Sequence, residues 1–439
     1  MSFKKLLLLF LVTAGIGSLL AGCGNGDSEE SSGQAEDGVV ELDFWTFWGS
    51  EPRRDFIEKI VEDFNESQDE IHVTHTFLPW GDIWTKNLAS VAAGNPADVI
   101  INDINTVAQR AEKQQNTNLS EFVAEEEGFG DQYLSHLWDA MQYEGDAYAV
   151  PFVTDTRILY YNKDIMEEVG LDPEQPPTTW EELEEMAKQM DVKEGDRYSR
   201  IGYLPRYGIK GDVYYMNATG HGFWDFEEGK PTVNDPKGIE ILEWLVEYEE
   251  TYGLDVINAF EAEFGNQQAD PFLSGKLGMM VKEPTHYSQI KEYAPDLNFG
   301  VTQLPEFSTQ GGNTSWGGGF VAEIPKGAKN PEASWEFIKY LTGPEAQEYW
   351  AVNNFDNVAN IEALENAATS DELTDMGKEV YQTAVDNMEN TILTPIPLEA
   401  PDMLNVINPE LDRIYLKEKT PQEAMDDAQK AVEHLVETN

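Results

Sequence analysis

The sequence is poor in cysteine and in basic residues. Cys23 is its only cysteine in 439 residues, so the folded body has no internal disulfide and must be stabilised by core burial. Only 29 Lys and Arg stand against 82 Asp and Glu, which gives a formal net charge of −53. Because binding to a nucleic acid backbone is driven by Lys and Arg that displace its counterions, this composition excludes nucleic acid as an expected partner.

Motifs of common catalytic and cofactor sites are also missing. The chain contains no Gly-x-Ser-x-Gly, no His-Glu-x-x-His and no phosphate-binding P-loop. Its six histidines form no metal-ligand set that we recognise. We therefore expect no catalytic residue, no metal and no cofactor.

The first 23 residues have the pattern of an export signal. Lys4 and Lys5 precede an apolar run from Leu6 to Leu20, and Ala21-Gly22 lead to Cys23. The segment resembles bacterial lipoprotein signals, in which a peptidase cuts before an acylated cysteine. The resemblance implies a signal peptide over residues 1–22 and a lipid on Cys23. A short membrane anchor is the alternative, but the run falls short of the ~20 residues that span a bilayer.

Residues 23–38 are small, polar and acidic, which predicts a flexible tether between the lipid and a folded body. About 400 residues remain, enough for two domains. The acidic residues are spread along the whole chain, and this favours a carboxylate-rich surface suited to a salty or alkaline habitat over capture of a cationic ligand.

From Val39 onward, strand and helix patterns alternate. The predicted strands are 39–45, 71–77 and 97–101, and the predicted helices are 53–65 and 83–93. This alternation predicts an α/β fold with mainly parallel sheets flanked by helices. Ligands of such sheets bind beyond the carboxyl ends of the strands, which places residues 45–51 and Asn102-Asp103 at one rim.

Several segments resemble the family 1 extracellular solute-binding proteins of bacterial ABC importers. The most specific is Pro151, then Tyr161-Asn162-Lys163, then Pro177-Thr178-Thr179-Trp180 before a helix. The other matching segments are 272–280, 299–305, 324–327, 335–341 and 420–425, so the resemblance covers nearly all of the mature chain.

The resemblance implies a type II periplasmic-binding-protein-like fold with two lobes and a ligand cleft between them. Lobe 1 is then residues 39–152 plus 301–343, and lobe 2 is residues 153–300 plus 344–439. It further implies a monomer that closes on its ligand and delivers it to the transmembrane subunits of an ABC permease. The predicted lipid on Cys23 places this monomer on the outer face of the cell membrane, and favours a one-membrane bacterium, from which an untethered binding protein would diffuse away.

Several aromatic residues fall beside turn signals where the family's cleft should lie. They are Trp48, Trp80, Trp224 and Trp316, the last followed by Gly317. A tryptophan face covers the C–H face of a sugar ring, so these residues are candidate saccharide contacts. The alternative is core packing, because tryptophan is largely buried in most proteins.

Polar candidates follow from the same comparison. Asp155 lies where the chain first crosses between the lobes, and relatives place an acidic residue that contacts the sugar there. Its alternative role is a hinge salt bridge with Arg157. The remaining candidates are Glu51 and Asn102-Asp103 at the strand ends, Tyr207 and Glu283. Asn and Asp also favour turns and helix caps, which is the alternative for Asn102 and Asp103.

The expected ligand is a saccharide, most simply an oligosaccharide or glycoside. The same fold could instead bind a betaine, a polyamine or a glycerol phosphodiester, and an aromatic cage would suit a quaternary ammonium. A secreted glycoside hydrolase is a third reading, which needs two carboxylates across a scissile bond. Among 82 acidic residues such a pair is always available, so the sequence gives this reading no specific support.

Overall fold

The computed structural model describes residues 38–50, 53–195, 197–263 and 270–438. The predicted signal peptide, the lipidation site Cys23 and the tether as far as residue 37 lie outside the described residues. The predicted ligand contact Glu51 also lies outside them. The residues from Val39 onward form one unit, in which two larger sheets are flanked by helices.

The strands are numbered in chain order. They are β1 (Val40–Thr46), β2 (Ile71–Phe77), β3 (Val99–Asp103), β4 (Gln142–Tyr143), β5 (Asp146–Ala147), β6 (Val150–Thr154), β7 (Ile158–Asn162), β8 (Val192–Glu194), β9 (Arg197–Tyr203), β10 (Trp224–Asp225), β11 (Lys230–Pro231), β12 (Leu277–Lys282), β13 (Phe299–Thr302), β14 (Ser315–Trp316), β15 (Gly319–Glu323), β16 (Asn357–Val358) and β17 (Thr391–Ile392).

The helices surround these strands. They are α1 (Arg53–Ser67), α2 (Asp82–Ala92), α3 (Val107–Glu112), α4 (Ser120–Glu125), α5 (Ser135–Asp139), α6 (Lys163–Glu168), α7 (Trp180–Met190), α8 (Gly211–Thr219), α9 (Pro236–Glu250), α10 (Leu254–Glu263), α11 (His286–Tyr293), α12 (Pro331–Leu341), α13 (Pro344–Asn354), α14 (Ile361–Thr369), α15 (Asp375–Asn387), α16 (Met403–Tyr415) and α17 (Pro421–Thr438). Short 3-10 turns span Ile104–Thr106, Phe129–Gln132 and Met388–Asn390. Within the described ranges, no helix combines the length and apolar character needed to cross a bilayer.

The first sheet has the strand order β16-β6-β15-β3-β1-β2. β1 pairs in parallel with β2 and β3, as βαβ units require. β15 enters between β3 and β6 and runs antiparallel to both, and β16 pairs antiparallel with β6. The sheet is therefore mixed, with β1, β2, β3 and β6 in one direction, because two strands return to it from far along the chain.

The second sheet has the order β13-β7-β12-β9-β8. β12 is parallel to β9, whereas β7 runs antiparallel to both β12 and β13, and β8 runs antiparallel to β9. β12 thus lies in the middle of this sheet, and Glu283 follows directly at the carboxyl end of that strand. The predicted α/β fold with two sheet-based lobes is confirmed. The expectation of mainly parallel sheets is wrong, because only two of the five strand pairings in the first sheet and one of the four in the second are parallel among the described strands.

The chain passes between the sheets at a small hinge. β6 in the first sheet ends at Thr154, and β7 in the second sheet begins at Ile158. Beside this crossing, β14 pairs in parallel with β17. The Thr156 hydroxyl lies 3.1 Å from the Ser315 hydroxyl and 2.6 Å from that of Thr391, so buried hydrogen bonds join the three segments.

The expected lobe bounds stay a prediction, and the strand ladders differ from them at three points. β6 continues in the first sheet to Thr154, and β13 stays in the second sheet to Thr302. Beyond residue 343, β16 returns to the first sheet, because Asn357 pairs with Thr154 and Val358 with Val153. We propose crossings at residues 155–157, at 303–318 and after 358.

Helix α7 begins at a hydrogen-bonded cap. The Thr179 hydroxyl accepts a hydrogen bond of 3.2 Å from the Glu182 amide, as the Thr-x-x-Glu spacing predicts. The Glu182 carboxylate accepts in return from the Thr178 amide at 2.8 Å, one residue before the position a capping box uses. The cap is confirmed, and it fixes the start of α7 at the buried Trp180, the first residue of the helix.

We expect Thr179→Ala to lower the free energy of unfolding by about 1 kcal/mol, because the first turn of α7 loses a partner for one amide. Urea unfolding followed by circular dichroism measures this change. Glu181→Ala, an exposed change in the same turn, serves as the control. Equal stability of the two variants would show that the Thr179 hydroxyl contributes nothing.

Candidate functional site

A cavity of about 380 Å3 lies where the ends of the two sheets face each other. Its aromatic wall comes from the first sheet, through residues that follow β1 and β2 and through β15. Carboxylates line it from three places: Asp155 at the first crossing, Glu283 after β12, and Asp356 before β16. The cavity therefore lies beyond the carboxyl ends of β1 and β2, where ligands of open α/β sheets bind.

The aromatic wall is a cluster of mutually supporting rings. Phe47 lies 4.8 Å from Trp80 and 4.7 Å from Phe320, centroid to centroid, in edge-to-face arrangements. Trp48 is buried against Trp350 at 4.6 Å, yet it still lines the cavity. Trp80 is 60% exposed, so its ring forms the solvent-facing end of this wall. Edge-to-face packing of this kind holds the rings in place before any ligand arrives.

A buried arginine organises two of the carboxylates. Nη1 of Arg157 lies 3.1 Å from Asp155, and Nη2 lies 3.4 Å from Glu283. Asp155 also accepts a 2.6 Å hydrogen bond from the Gly318 amide at the second crossing. Both roles considered for Asp155 are thus present in one side chain: it makes the hinge salt bridge and it lines the cavity.

The charge of Glu283 depends on that arginine. Burial by itself would raise the pKa of the Glu283 carboxyl, but the positive charges of Arg157 and Lys282 outweigh burial and hold its pKa below the ordinary value. Glu283 is therefore ionised at neutral pH and acts only as a hydrogen-bond acceptor toward the cavity.

Trp316 and Gly317 lie at the hinge itself. The guanidinium of Arg157 sits 4.7 Å above the Trp316 ring, and the indole N–H donates a 3.0 Å hydrogen bond to Thr394. A side chain at Gly317 would lie 2.2 Å from the carbonyl oxygen of Asp155, so this position admits only glycine. Gly317 therefore allows the crossings to approach closely, and this accounts for it without a ligand contact.

Trp224 borders a different cavity. This second cavity measures about 220 Å3 and is mostly apolar, with Phe223, Trp224, Leu393 and Met403 among its walls. Trp224 is buried at the start of the β10–β11 ladder, where it pairs with Pro231. Trp316 reaches this cavity only through its hydrogen bond to Thr394, which lines it. The structure thus separates Trp224 from the cavity that contains Asp155.

Asn102 lies in the interior, contrary to its prediction as a ligand contact. It is 1% exposed and its amide donates a 2.8 Å hydrogen bond to Glu323, whose carboxylate is also paired with Arg110. The reason is the return of β15: β3 runs two residues past its predicted end, because Asn102 pairs with Val321 and Asp103 with Phe320.

Asp103 acts as a cap. Its carboxylate accepts a 2.8 Å hydrogen bond from the Asn105 amide at the start of a 3-10 turn, which is the alternative considered for it. Burial raises the pKa of Asp103, and the nearby Asp155 adds to that rise. The side chain is not among those that line the cavity, so its proposed ligand role has no support in its position.

Tyr207 belongs to the second lobe and is likewise absent from the cavity wall. Its hydroxyl donates a 3.2 Å hydrogen bond to Asp270. Arg206 beside it pairs with Glu249, with a 2.8 Å hydrogen bond from Nε to Oε1. These contacts hold the loop after β9 and account for both residues without a ligand.

Six cavity residues are not among the individual candidates named from the sequence: Phe47, Ser50, Arg53, Thr285, Phe320 and Asp356. Phe47 stands in the aromatic-rich segment Trp45-Thr46-Phe47-Trp48 at the end of β1, and this aromatic composition could have indicated a ligand-facing wall. Arg53 and Asp356 are joined only by the fold. No local pattern marks Asp356, which precedes a strand of two residues.

Solved structures share this fold. The mannotriose-bound structure of CpMnBP1 matches with a TM-score of 0.78 and 26% identity, over 90% of this chain and 100% of that chain. The resemblance therefore extends over most of the chain.

Curated relatives match over similar lengths. The arabinooligosaccharide-binding protein of Bacillus subtilis is 22% identical over 448 residues, which cover 97% of this chain and 98% of that protein. The sn-glycerol-3-phosphate-binding periplasmic protein of Pectobacterium atrosepticum is 23% identical over 427 residues, which cover 89% and 90%. The family model for bacterial extracellular solute-binding proteins matches residues 59–378. With a match over most of its length, this chain belongs to the bacterial extracellular solute-binding protein family.

Proposed function

We propose that this protein captures a saccharide in the cavity between its two sheets and delivers it to the permease of an ABC importer. The observation that carries the proposal is the pairing of aromatic faces with carboxylates in one cavity. Phe47 and Trp80 offer apolar faces to a sugar ring, and the buried Trp48 packs against Phe47. Asp155 and Glu283 accept hydrogen bonds from the sugar hydroxyls.

The names of similar proteins support a sugar as the ligand. The relative from Bacillus subtilis is named for arabinooligosaccharides, and the CpMnBP1 structure contains mannotriose. An oligosaccharide also suits a cavity of about 380 Å3, which falls within the range of small-molecule sites. Closure of the two lobes about the hinge would enclose the ligand and create the form that a permease recognises.

A non-sugar solute is the second candidate. The excess of carboxylates and aromatic rings in the cavity would attract a betaine or a polyamine. A glycerol phosphodiester, or the sn-glycerol-3-phosphate in the name of the relative from Pectobacterium atrosepticum, would place a phosphate among Asp155, Glu283 and Asp356. The negative phosphate would be repelled by these carboxylates, so an anionic ligand is the least favoured of the three classes of non-sugar candidate.

Anchoring is proposed from the sequence. A lipid on Cys23 and a tether from residue 23 to 38 would hold the monomeric body at the outer face of the cell membrane. The tether would keep loaded protein at high local concentration near the permease.

A thermal-shift screen tests the ligand class. We expect mannotriose, arabinotriose or maltotriose to raise the melting temperature, since a ligand that binds only the folded state stabilises it. Glycine betaine, spermidine and glycerophosphocholine form the opposing panel. A shift with that panel alone would overturn the saccharide proposal, and release of reducing ends from the sugars would indicate an enzyme.

We expect Asp155→Ala to weaken binding of the sugar identified in that screen by about 1–3 kcal/mol, because a partly buried acceptor of ligand hydroxyls is removed. Isothermal titration calorimetry measures the change. The matched control is Asp371→Ala, which removes the same charge from a fully exposed position. If both variants bind as the wild type does, Asp155 serves the hinge alone.

A further inference from the structure

Asp356 presents one carboxylate oxygen to the cavity and keeps the other engaged. Oδ2 accepts a 3.0 Å hydrogen bond from the Trp350 indole N–H and a second, short one from the Asn354 amide. Among the described residues, Oδ1 has no hydrogen-bond donor, and Nη2 of Arg53 lies 3.9 Å away. The side chain is only 12% exposed, yet it lines the cavity. At the wall of the cavity, this carboxylate oxygen has no donor from the described part of the protein and is open to a hydrogen bond from a ligand or from water.

The backbone and Arg53 hold this arrangement in place. Phe355, just before Asp356, adopts a left-handed conformation with φ of 61°, which is uncommon for a residue with a side chain. Its ring packs edge-on against Tyr287 at 4.8 Å, which stabilises the turn. Nε of Arg53 donates a 3.0 Å hydrogen bond to Asn354, so the guanidinium is also fixed. Such local strain persists where the surroundings determine the conformation, often at binding sites.

We propose that Arg53 and Asp356 together recognise a ligand hydroxyl, which donates to Oδ1 of Asp356 and accepts from Arg53. The separation of 3.9 Å is too long for a direct hydrogen bond and leaves room for one bridging oxygen. An ammonium group could donate to Asp356, but it cannot accept from Arg53 and is repelled by its charge. This pair therefore selects polyhydroxy ligands over polyamines and betaines, an inference that rests on the proposed saccharide function.

The same geometry predicts a pH dependence. Burial raises the pKa of Asp356 to about 6; the Arg53 charge opposes this rise and the Asp155 charge adds to it. Tyr381 also faces Asp356, Glu283 shares the cavity, and Lys291 lies over the Phe355 ring. Because only the ionised carboxylate leaves both oxygens free to accept, affinity should be full above pH 7 and fall as the pH drops through 6.

The experiment is calorimetric titration of mannotriose, arabinotriose, maltotriose and spermidine into the whole protein at pH 7.5 and pH 5.5. For the sugar that binds, we expect wild-type affinity to fall about 4-fold at the lower pH, as a group of pKa about 6 becomes mostly protonated. Asp356→Asn should weaken binding about 10-fold at pH 7.5 and remove most of the pH dependence. Arg53→Gln should also weaken binding, although Asp356 is intact, because the ligand hydroxyl then loses its donor.

Controls separate this inference from the function on which it rests. Asp371→Asn removes an equal charge from an exposed site and should match the wild type at both pH values. Sugar binding that Asp356→Asn and Arg53→Gln leave unchanged would overturn the hydroxyl assignment while the saccharide function stands. Binding of spermidine alone, or of no sugar in the panel, would overturn both. Circular dichroism confirms that each variant is folded.

Discussion

Replacing Arg110 by methionine is expected to lower the free energy of unfolding by about 3–5 kcal/mol, since it leaves a charge buried without its partner. Glu323, in the central strand of the first sheet, is 1% exposed. Nε of Arg110 donates to its two carboxylate oxygens at 3.1 and 3.0 Å, and the Asn102 amide donates at 2.8 Å. Without the guanidinium, the remaining amide donors cannot balance the buried negative charge.

Urea unfolding at neutral pH measures this loss, and two variants interpret it. Lys188→Met removes a cation from an exposed pair with Glu184 and should cost less than about 1 kcal/mol. The double variant Arg110→Met/Glu323→Met removes both charges and should recover part of the stability, because no ion is left unpaired. A single variant as stable as the Lys188 control would show that the buried pair contributes nothing.

Replacing Arg157 by glutamine should weaken ligand binding by about 2–5 kcal/mol, the range for loss of one member of a buried charge pair. Asp155 and Glu283 would then face the cavity without the cation that separates and orients them. The variant should also bind in a new pH-dependent way. In the wild type the Arg157 charge keeps the pKa of Glu283 low, whereas in the variant burial dominates and raises it. As the pH is lowered, the affinity of Arg157→Gln should therefore begin to fall at a higher pH than that of the wild type.

Calorimetry across pH 5 to 8 measures both effects with the same sugar. Arg157→Lys should recover only part of the affinity, because an ammonium cannot bond two carboxylates with the fixed fork of a guanidinium. Arg413→Gln, at a half-exposed surface pair with Glu410, is the control. Wild-type affinity and pH profile in Arg157→Gln would exclude Arg157 as the residue that positions these carboxylates.

Local sequence patterns predicted the first elements to within a few residues. Ile71–Phe77 has the predicted bounds, and α1 and β1 differ from theirs by at most two residues at either end. The reason is that apolar periodicity and β-branched residues act over short distances in the chain. β3 was predicted to end at Ile101 but continues to Asp103, because the pairing with β15 lies outside any local window.

The cavity was predicted less completely. Asp155, Glu283, Trp48 and Trp80 line it as the family resemblance implied, although their contact with a ligand stays a prediction. Asn102 was misplaced because the sequence does not show the buried partners Arg110 and Glu323. Arg53 and Asp356 lie about 300 positions apart in the chain and meet only when α1 packs beside α13. Long-range proximity of this kind leaves no trace in spacing or periodicity.

The position of β15 also determines the order of assembly. A growing chain that stops before Gly319 leaves β3 and β6 with facing edges that nothing joins, since each pairs with β15 in the finished sheet. Contacts between such distant segments form slowly, and open strand edges invite pairing with other chains in the meantime. We therefore expect that the amino-terminal half cannot complete its sheet before the rest of the chain has been made. A gene divided at the first crossing should yield two fragments that are insoluble apart and fold only when they are produced together.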